Sequence, residues 1–328
     1  MSSAPSPVLG GALITVTPNP AVDVTYRLPC AHWGGVNRIG TVTRRAGGKG
    51  VNVACVLGQL GYPAHTCGFL GGATGVALTR LLSDSTVTQS WTTIEEETRC
   101  TTAVVDDTST TLLNEPGPRV SSGDWRRLSQ DVAGRSRPGD VVVLSGSCPP
   151  GTTKDDLTDF IAAVHGSGAL ILVDTSGPLL TAAADAGADL LKPNQHELAE
   201  ATGTEDVVAG AKALIARGAR AVAVSCGEEG MVVVAGRSPQ ARAWRAAPAE
   251  VVRGNPTGAG DAVVAALALV LRQVGQGAEL AAVLPEHLPQ AVALSAAAVL
   301  APVAGLVDLS AYERFLVQVA VEELHVAL

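Results

Sequence analysis

Four short runs in this chain, at residues 141–144, 170–173, 221–224 and 231–234, are apolar at every position and rich in β-branched side chains, and they recur between stretches with helical spacing. Side chains on a strand point alternately to two faces, so a run that is apolar throughout needs both faces covered. Such runs predict a mainly parallel central sheet between two helix layers, an α/β three-layer sandwich. The chain is long enough for it: 328 residues, 47% of them hydrophobic, bury a large core. Only 3% are aromatic, which leaves Ala, Val and Leu to fill that core.

A second class of segment, near residues 22–26, 38–45, 99–105 and 110–113, mixes polar and apolar positions as strands with one wet face do. These read as a small β-sheet lid made from two insertions, at about 22–45 and 99–114. It would cover the end of the main sheet where α/β proteins bind ligands. No repeat, low-complexity tract or linker divides the rest, so 11–328 reads as one domain behind a disordered leader at 1–10. A formal charge of −8 argues against a nucleic-acid or anionic-membrane partner. No run reaches the roughly 18 apolar residues of a membrane span, and the first residues lack a signal peptide's basic and apolar regions. The six cysteines form no CxxC pair and the six histidines no metal spacing. A cytoplasmic protein is expected.

The strongest chemical signal is Asn255-Pro256-Thr257-Gly258-Ala259-Gly260-Asp261, followed at once by an apolar helix over 262–271. Glycines before a helix let backbone approach an anion, and the first free N–H groups with the helix dipole form a phosphate site. Asp261 would then stand beside a transferring phosphoryl group as a general base, although a plain helix cap has the same spacing. A second glycine cluster, Gly47-Gly48-Lys49-Gly50-Val51-Asn52, precedes an amphipathic helix. It lacks the Walker A spacing, and it suits either polyol and phosphate recognition or a tight strand-to-helix turn. In Lys192-Pro193-Asn194-Gln195-His196-Glu197, the pair Asn194 and Glu197 reads as a capping box or as a water-mediated Mg²⁺ partner set. The turns Ser145–Gly151 and Ser225–Gly230 each follow a buried strand, as ligand loops or as punctuation. Neither a GxGxxG fingerprint nor a GxSxG elbow is present, which disfavours dehydrogenase and serine hydrolase.

In this order the segments TPNPAVDVT (17–25), AGGKGVNVA (46–54), ETRCTT (97–102), NEPGP (114–118), SGSCPPG, KPNQHEL, SCGEEG and NPTGAGDA resemble the PfkB, ribokinase-like carbohydrate kinases. The resemblance runs from about residue 14 to 316. NPAxD, NEPGP, SGSxPxG and KPNxxEL are similar to the branch of 1-phosphofructokinases, tagatose-6-phosphate kinases and PfkB-type 6-phosphofructokinases. It implies a ribokinase-like fold with a lid that often dimerises lid to lid, and ATP with Mg²⁺ as cofactors. Carried over by residue, Asp23, Gly48, Lys49 and Asn52 would hold the sugar hydroxyls and phosphate, with Arg99 adding charge for the phosphate the substrate carries, and Asn114 and Ser147 would complete the pocket. Lys192, Asn194, Ser225, Gly227, Gly230 and Thr257 would border the nucleotide. Glu197 with Asn194 would position Mg²⁺ through water, and Gly258, Ala259 and Gly260 would form an anion hole beside the base Asp261. Asn37 and Arg38 fit a GxVNR pattern associated with 1-phosphofructokinases. Cys148 and Cys226 stand where Leu or another hydrophobic residue is common and suggest a thiol-sensitive site, and Ser295 stands where glycine is common near the adenine.

The expected reaction is in-line phosphoryl transfer from ATP to a hexose phosphate, with fructose 1-phosphate ahead of tagatose 6-phosphate and fructose 6-phosphate. A kinase of an unphosphorylated sugar and a non-catalytic sugar-phosphate sensor are the rival readings.

Overall fold

The computed structural model describes residues 10–324 except 84 and 276; the leader expected at 1–10 lies, apart from Gly10, outside the described residues. The first half runs β1 (Leu13–Thr17), β2 (Ala21–Arg27), β3 (Thr41–Gly47), α1 (Lys49–Gln59), β4 (Ala64–Leu70), α2 (Gly72–Leu81), β5 (Thr88–Gln89) and β6 (Thr92–Thr93). It continues through β7 (Arg99–Val105), β8 (Thr110–Asn114), α3 (Ser122–Arg135), β9 (Val141–Ser145) and α4 (Lys154–Gly166). The second half runs β10 (Leu170–Asp174), α5 (Pro178–Asp185), β11 (Leu190–Leu191), α6 (Gln195–Thr202), α7 (Val207–Arg217) and β12 (Ala221–Ser225). It closes with β13 (Met231–Ala235), β14 (Arg242–Ala247), α8 (Ala259–Val274), α9 (Leu280–Val299), α10 (Leu309–Leu316) and β15 (Ala320–Leu324).

The large sheet has the order β15-β14-β13-β12-β11-β10-β9-β1-β4-β5, with β6 beside β4, and it is parallel from β12 to its β5 edge. The four apolar runs are strands because both faces are covered. In β9, Val141 and Val143 face the layer of α1, α8 and α9, while Val142 and Leu144 face that of α3, α4, α5 and α7. The run at 231–234 corrects one expectation. It forms β13, antiparallel to β12 and to β14, and β15 closes the edge antiparallel to β14. An unbroken apolar run reports burial on two faces, here by α9 and α7, and says nothing about strand direction.

The small sheet has the order β3-β2-β7-β8, built from two segments far apart in sequence. Its central pair, β2 and β7, is parallel, and each outer strand pairs antiparallel. One face packs Val22 and Val24 with Val51 of α1 and Leu78 of α2. The second lid strand, β3, begins at Thr41 rather than 38. Asn37 lies in the preceding loop, where its side chain closes a turn on the His32 backbone at 2.8 and 2.9 Å.

Candidate active site

The carboxyl-terminal ends of β9, β10, β11 and β12 come together beside the start of α1 and the start of α8. Parallel pairing puts these ends side by side: Gly146 N–H donates to the Asp174 carbonyl, and Asn194 bridges to Ser225. Burial does the rest, since Lys192 at the end of β11 is only 4% exposed and an ammonium there needs a carboxylate.

That carboxylate is Asp174, which the sequence reading missed. It ends β10, is buried, and lies 3.2 Å from Lys192 Nζ and 3.2 Å from Lys49 Nζ, with Ser145 donating to it at 2.9 Å. Burial works to raise its carboxyl, but Lys192 and Lys49 outweigh that and hold it below the ordinary value. Burial likewise pulls the Lys49 ammonium down, and the carboxylates of Asp174, Asp261 and Glu197 carry it above the usual lysine range. Lys49 thus stands among three acids contributed by three different segments. The only sequence trace of Asp174 is a charged residue closing an apolar strand.

Asp261 lies in the first turn of α8, buried, and accepts a 2.8 Å hydrogen bond from the Asn52 amide of α1. Burial pushes its carboxyl up to about 7. The Asn52 bond opposes this, Asp174 adds like-charge repulsion, and Lys49 and Lys192 pull back down. Gly258 caps the helix at φ 93°, and a Cβ there would sit 2.8 Å from Ala304 Cα, so glycine is required on both counts. The Ala259 N–H is taken by the Pro256 carbonyl at 3.2 Å, which removes it from the expected anion hole. Among the described residues the N–H groups of Gly258, Gly260 and Asp261 have no partner. A Cβ on Gly260 would lie 4.0 Å from Lys192 Nζ, so an ammonium overlooks these free donors.

At the lid root, Gly47 lies against Asp23 and Gly48, at φ 108°, against Thr17 and Pro20; side chains at either position would collide. This close packing brings β2 onto the start of α1. Asp23 is pushed up to about 6 by burial, although Arg99 and Arg45 pull it down. Arg99 donates Nε and Nη2 to the Asn19 carbonyl at 3.2 and 3.0 Å and Nη1 to the Glu115 carbonyl at 3.0 Å, leaving two of its five N–H groups. Asn114 and Ser147 are exposed at the rim.

Asn194 and Glu197 form the capping box that their spacing allowed: Asn194 Oδ1 accepts from Glu197 N–H at 2.8 Å and Glu197 Oε2 accepts in return at 2.9 Å. Glu197 Oε1 has no partner among the described residues. Beyond the start of α8 opens a cavity of about 430 Å³, between the 227–230 loop, the 251–256 segment and the α9 face of Val292, Ser295, Ala296 and Val299. Gly227 and Gly230 line it, whereas Ser225 and Thr257 do not. The thiol-sensitive reading fares poorly: burial pushes Cys148 up to about 12 and raises Cys226 as well, so neither is a ready thiolate.

Unpaired helix N–H groups, two lysines and a cleft gather at the end of the sheet, an arrangement suited to the charge that develops in phosphoryl transfer. The model of the pfkB family carbohydrate kinases matches residues 15–307, and the chain belongs to that family. It is a phosphotransferase acting on a sugar hydroxyl, with the ATP use the family implies. It is 37% identical to a 1-phosphofructokinase of Xanthomonas campestris pv. campestris over 79% of this chain and 83% of the other. It is 28% identical to a tagatose-6-phosphate kinase of Staphylococcus epidermidis over 78% and 84%. The phosphofructokinase-2 of Escherichia coli, solved in complex with fructose-6-phosphate, superposes with a TM-score of 0.81 at 29% identity over 94% and 98%.

Proposed function

We propose that this chain transfers the γ-phosphoryl group of ATP to a hexose phosphate, fructose 1-phosphate before tagatose 6-phosphate or fructose 6-phosphate. The observation that carries the reading is Asp261: a buried carboxylate poised near neutrality beside free helix N–H groups. Asp261 takes the proton of the attacking hydroxyl, whose oxygen bonds to the γ-phosphorus as the bond to ADP breaks. The N–H groups of Gly258, Gly260 and Asp261, with Lys192, hold the oxygens of the moving group. The cleft against α9 takes the nucleoside. Asp23, Gly48, Lys49, Asn52, Asn114 and Ser147 hold the acceptor, and Arg99 offers its two remaining N–H groups to the phosphate.

Among the described residues no three acidic, histidine or cysteine side chains cluster as a metal cage. The free Oε1 of Glu197 suits an ion held mainly by water and phosphate, so Glu197 and the neighbouring Asn194 would hold Mg²⁺ through water. Mg²⁺ would supply charge neutralisation on the nucleotide phosphates.

The closeness of the 1-phosphofructokinase relatives supports fructose 1-phosphate, and the lid's exposed apolar side chains support a homodimer made through it. Among the described residues no helix is long and apolar enough to cross a membrane, which is in keeping with work in the cytoplasm. An ADP-release assay with Mg-ATP against the three hexose phosphates, fructose and ribose tests the reading. Fructose 1-phosphate should lead in kcat/KM by orders of magnitude; turnover of a neutral sugar alone would overturn the acceptor assignment, and sugar-phosphate binding without ADP release would favour the sensor.

A further inference from the structure

The lid's register places one row of side chains straight across all four strands. Arg45 of β3 is opposite Asp23 of β2, Asp23 is opposite Thr101 of β7, and Thr101 is opposite Asn114 of β8. Directly opposed residues share a face, so Arg45 stands on the same face as Asp23 and Asn114, two residues assigned above to the acceptor. Arg99, opposite Ala21, lies on that face too.

The Arg45 side chain is partly buried and makes no hydrogen bond or ion pair with any described residue, its backbone alone pairing with β2. Its cross-strand partner is a carboxylate, yet the two do not close into a salt bridge. Its charge is felt by Asp23 and by Cys55, which lies one turn along α1 from Asn52, the residue that holds Asp261. Arg45 therefore stands within electrostatic reach of Asp23, on the face of the small sheet that carries the proposed acceptor contacts. Arg99 is differently placed: three of its N–H groups already bind backbone carbonyls, so it is fixed and has little fork left for a phosphate.

We propose that Arg45 is the specificity-determining cation for the phosphate that the acceptor already carries, closing on it from the lid while Arg99 gives a fixed second contact. The proposal rests on the hexose-phosphate reading above. A phosphate monoester matches an unengaged guanidinium in charge and in fork geometry, and it would give the partly desolvated Arg45 the partner the chain withholds. An acceptor without that phosphate gains nothing from the guanidinium, so the phosphate contact alone separates the two acceptors.

The test compares wild type with Arg45→Gln and Arg45→Lys, on the hexose phosphate that wild type uses best and on fructose, with ATP varied separately. Arg45→Gln should raise KM for the hexose phosphate by about tenfold or more, with kcat, the KM for ATP and turnover of fructose within about twofold, and Arg45→Lys should recover part of the loss. A structural role would move all of these parameters together and would lower the melting temperature. An unchanged KM for the hexose phosphate in a folded Arg45→Gln enzyme overturns the proposal and leaves the function standing. A wild type that turns over no hexose phosphate overturns the function, and the role of Arg45 falls with it.

Discussion

At the scale of single residues, two carboxylates in the same site are tuned in opposite directions by what surrounds them. Asp174 is in direct contact with two ammonium groups and a hydroxyl, whereas Asp261 contacts one amide, has a like-charged neighbour and feels the same two ammonium groups only at a distance, so burial wins there. The general base proposed here must be deprotonated to act, so if Asp261 plays that part kcat/KM should rise with pH up to a plateau above about 7, as a pH series in the ADP assay would record. Asp261→Asn should lower kcat by about a thousandfold and erase that limb, with nucleotide affinity little changed. The sign for stability is the reverse. A folded-state value raised from 3.8 to about 7 stabilises the fold at low pH and is lost as pH climbs through 7. The melting advantage of Asp261→Asn over wild type should therefore be larger at pH 8 than at pH 5, and calorimetry at the two values checks it. Asp174→Ala strips the partner from buried Lys192 and should cost about 3 kcal/mol or more in urea unfolding. A loss under 1 kcal/mol would mean that the ammonium finds water there.

Elements depend on positions where backbone and site meet. The start of α8 exists in its present form only because Gly258 takes a positive φ against Ala304; alanine there should destabilise by about 2 kcal/mol and cripple transfer, since the free N–H groups point from that turn. The lid is tied at its root by a clasp: Arg99 binds the carbonyls of Asn19 and Glu115, Asn19 Nδ2 donates to Pro116 O at 3.0 Å, and Gly71 N–H donates to Thr98 Oγ1 at 2.9 Å. Arg99→Ala should therefore loosen closure and not only lose a phosphate contact. Expected is a fall of about tenfold in kcat/KM for fructose as well as for the hexose phosphate, together with raised ATP hydrolysis without acceptor. A loss confined to the phosphorylated acceptor would return Arg99 to a pure ligand role.

For the molecule as a whole, what could be read from sequence was what local pattern encodes. Runs apolar on both faces marked strands buried between two helix layers, and mixed runs marked the strands of the small sheet, because burial leaves its mark residue by residue. Asp174 stayed hidden because its partners lie 125 residues earlier, at Lys49, and across the next strand, at Lys192; Arg45 stayed hidden because only strand register sets it opposite Asp23. The antiparallel edge of β13 to β15 was out of reach for the same reason, pairing direction being a property of the assembly. The lid carries a further large-scale consequence. Trp33, Val36, Leu112 and Leu113 are each at least half exposed, and they are spread over the β2–β3 loop and the edge strand β8. An edge strand with unpaired backbone and apolar side chains invites another chain. If a second lid covers it, the pair Leu112→Glu and Leu113→Glu puts four like charges into a closed dimer interface and should release monomers, read by analytical ultracentrifugation at micromolar protein. Turnover should fall with dissociation, because a lid held only at its root samples open positions and admits water. A double variant that stays dimeric would move the interface off the lid, and a monomeric wild type would leave these side chains without a partner copy.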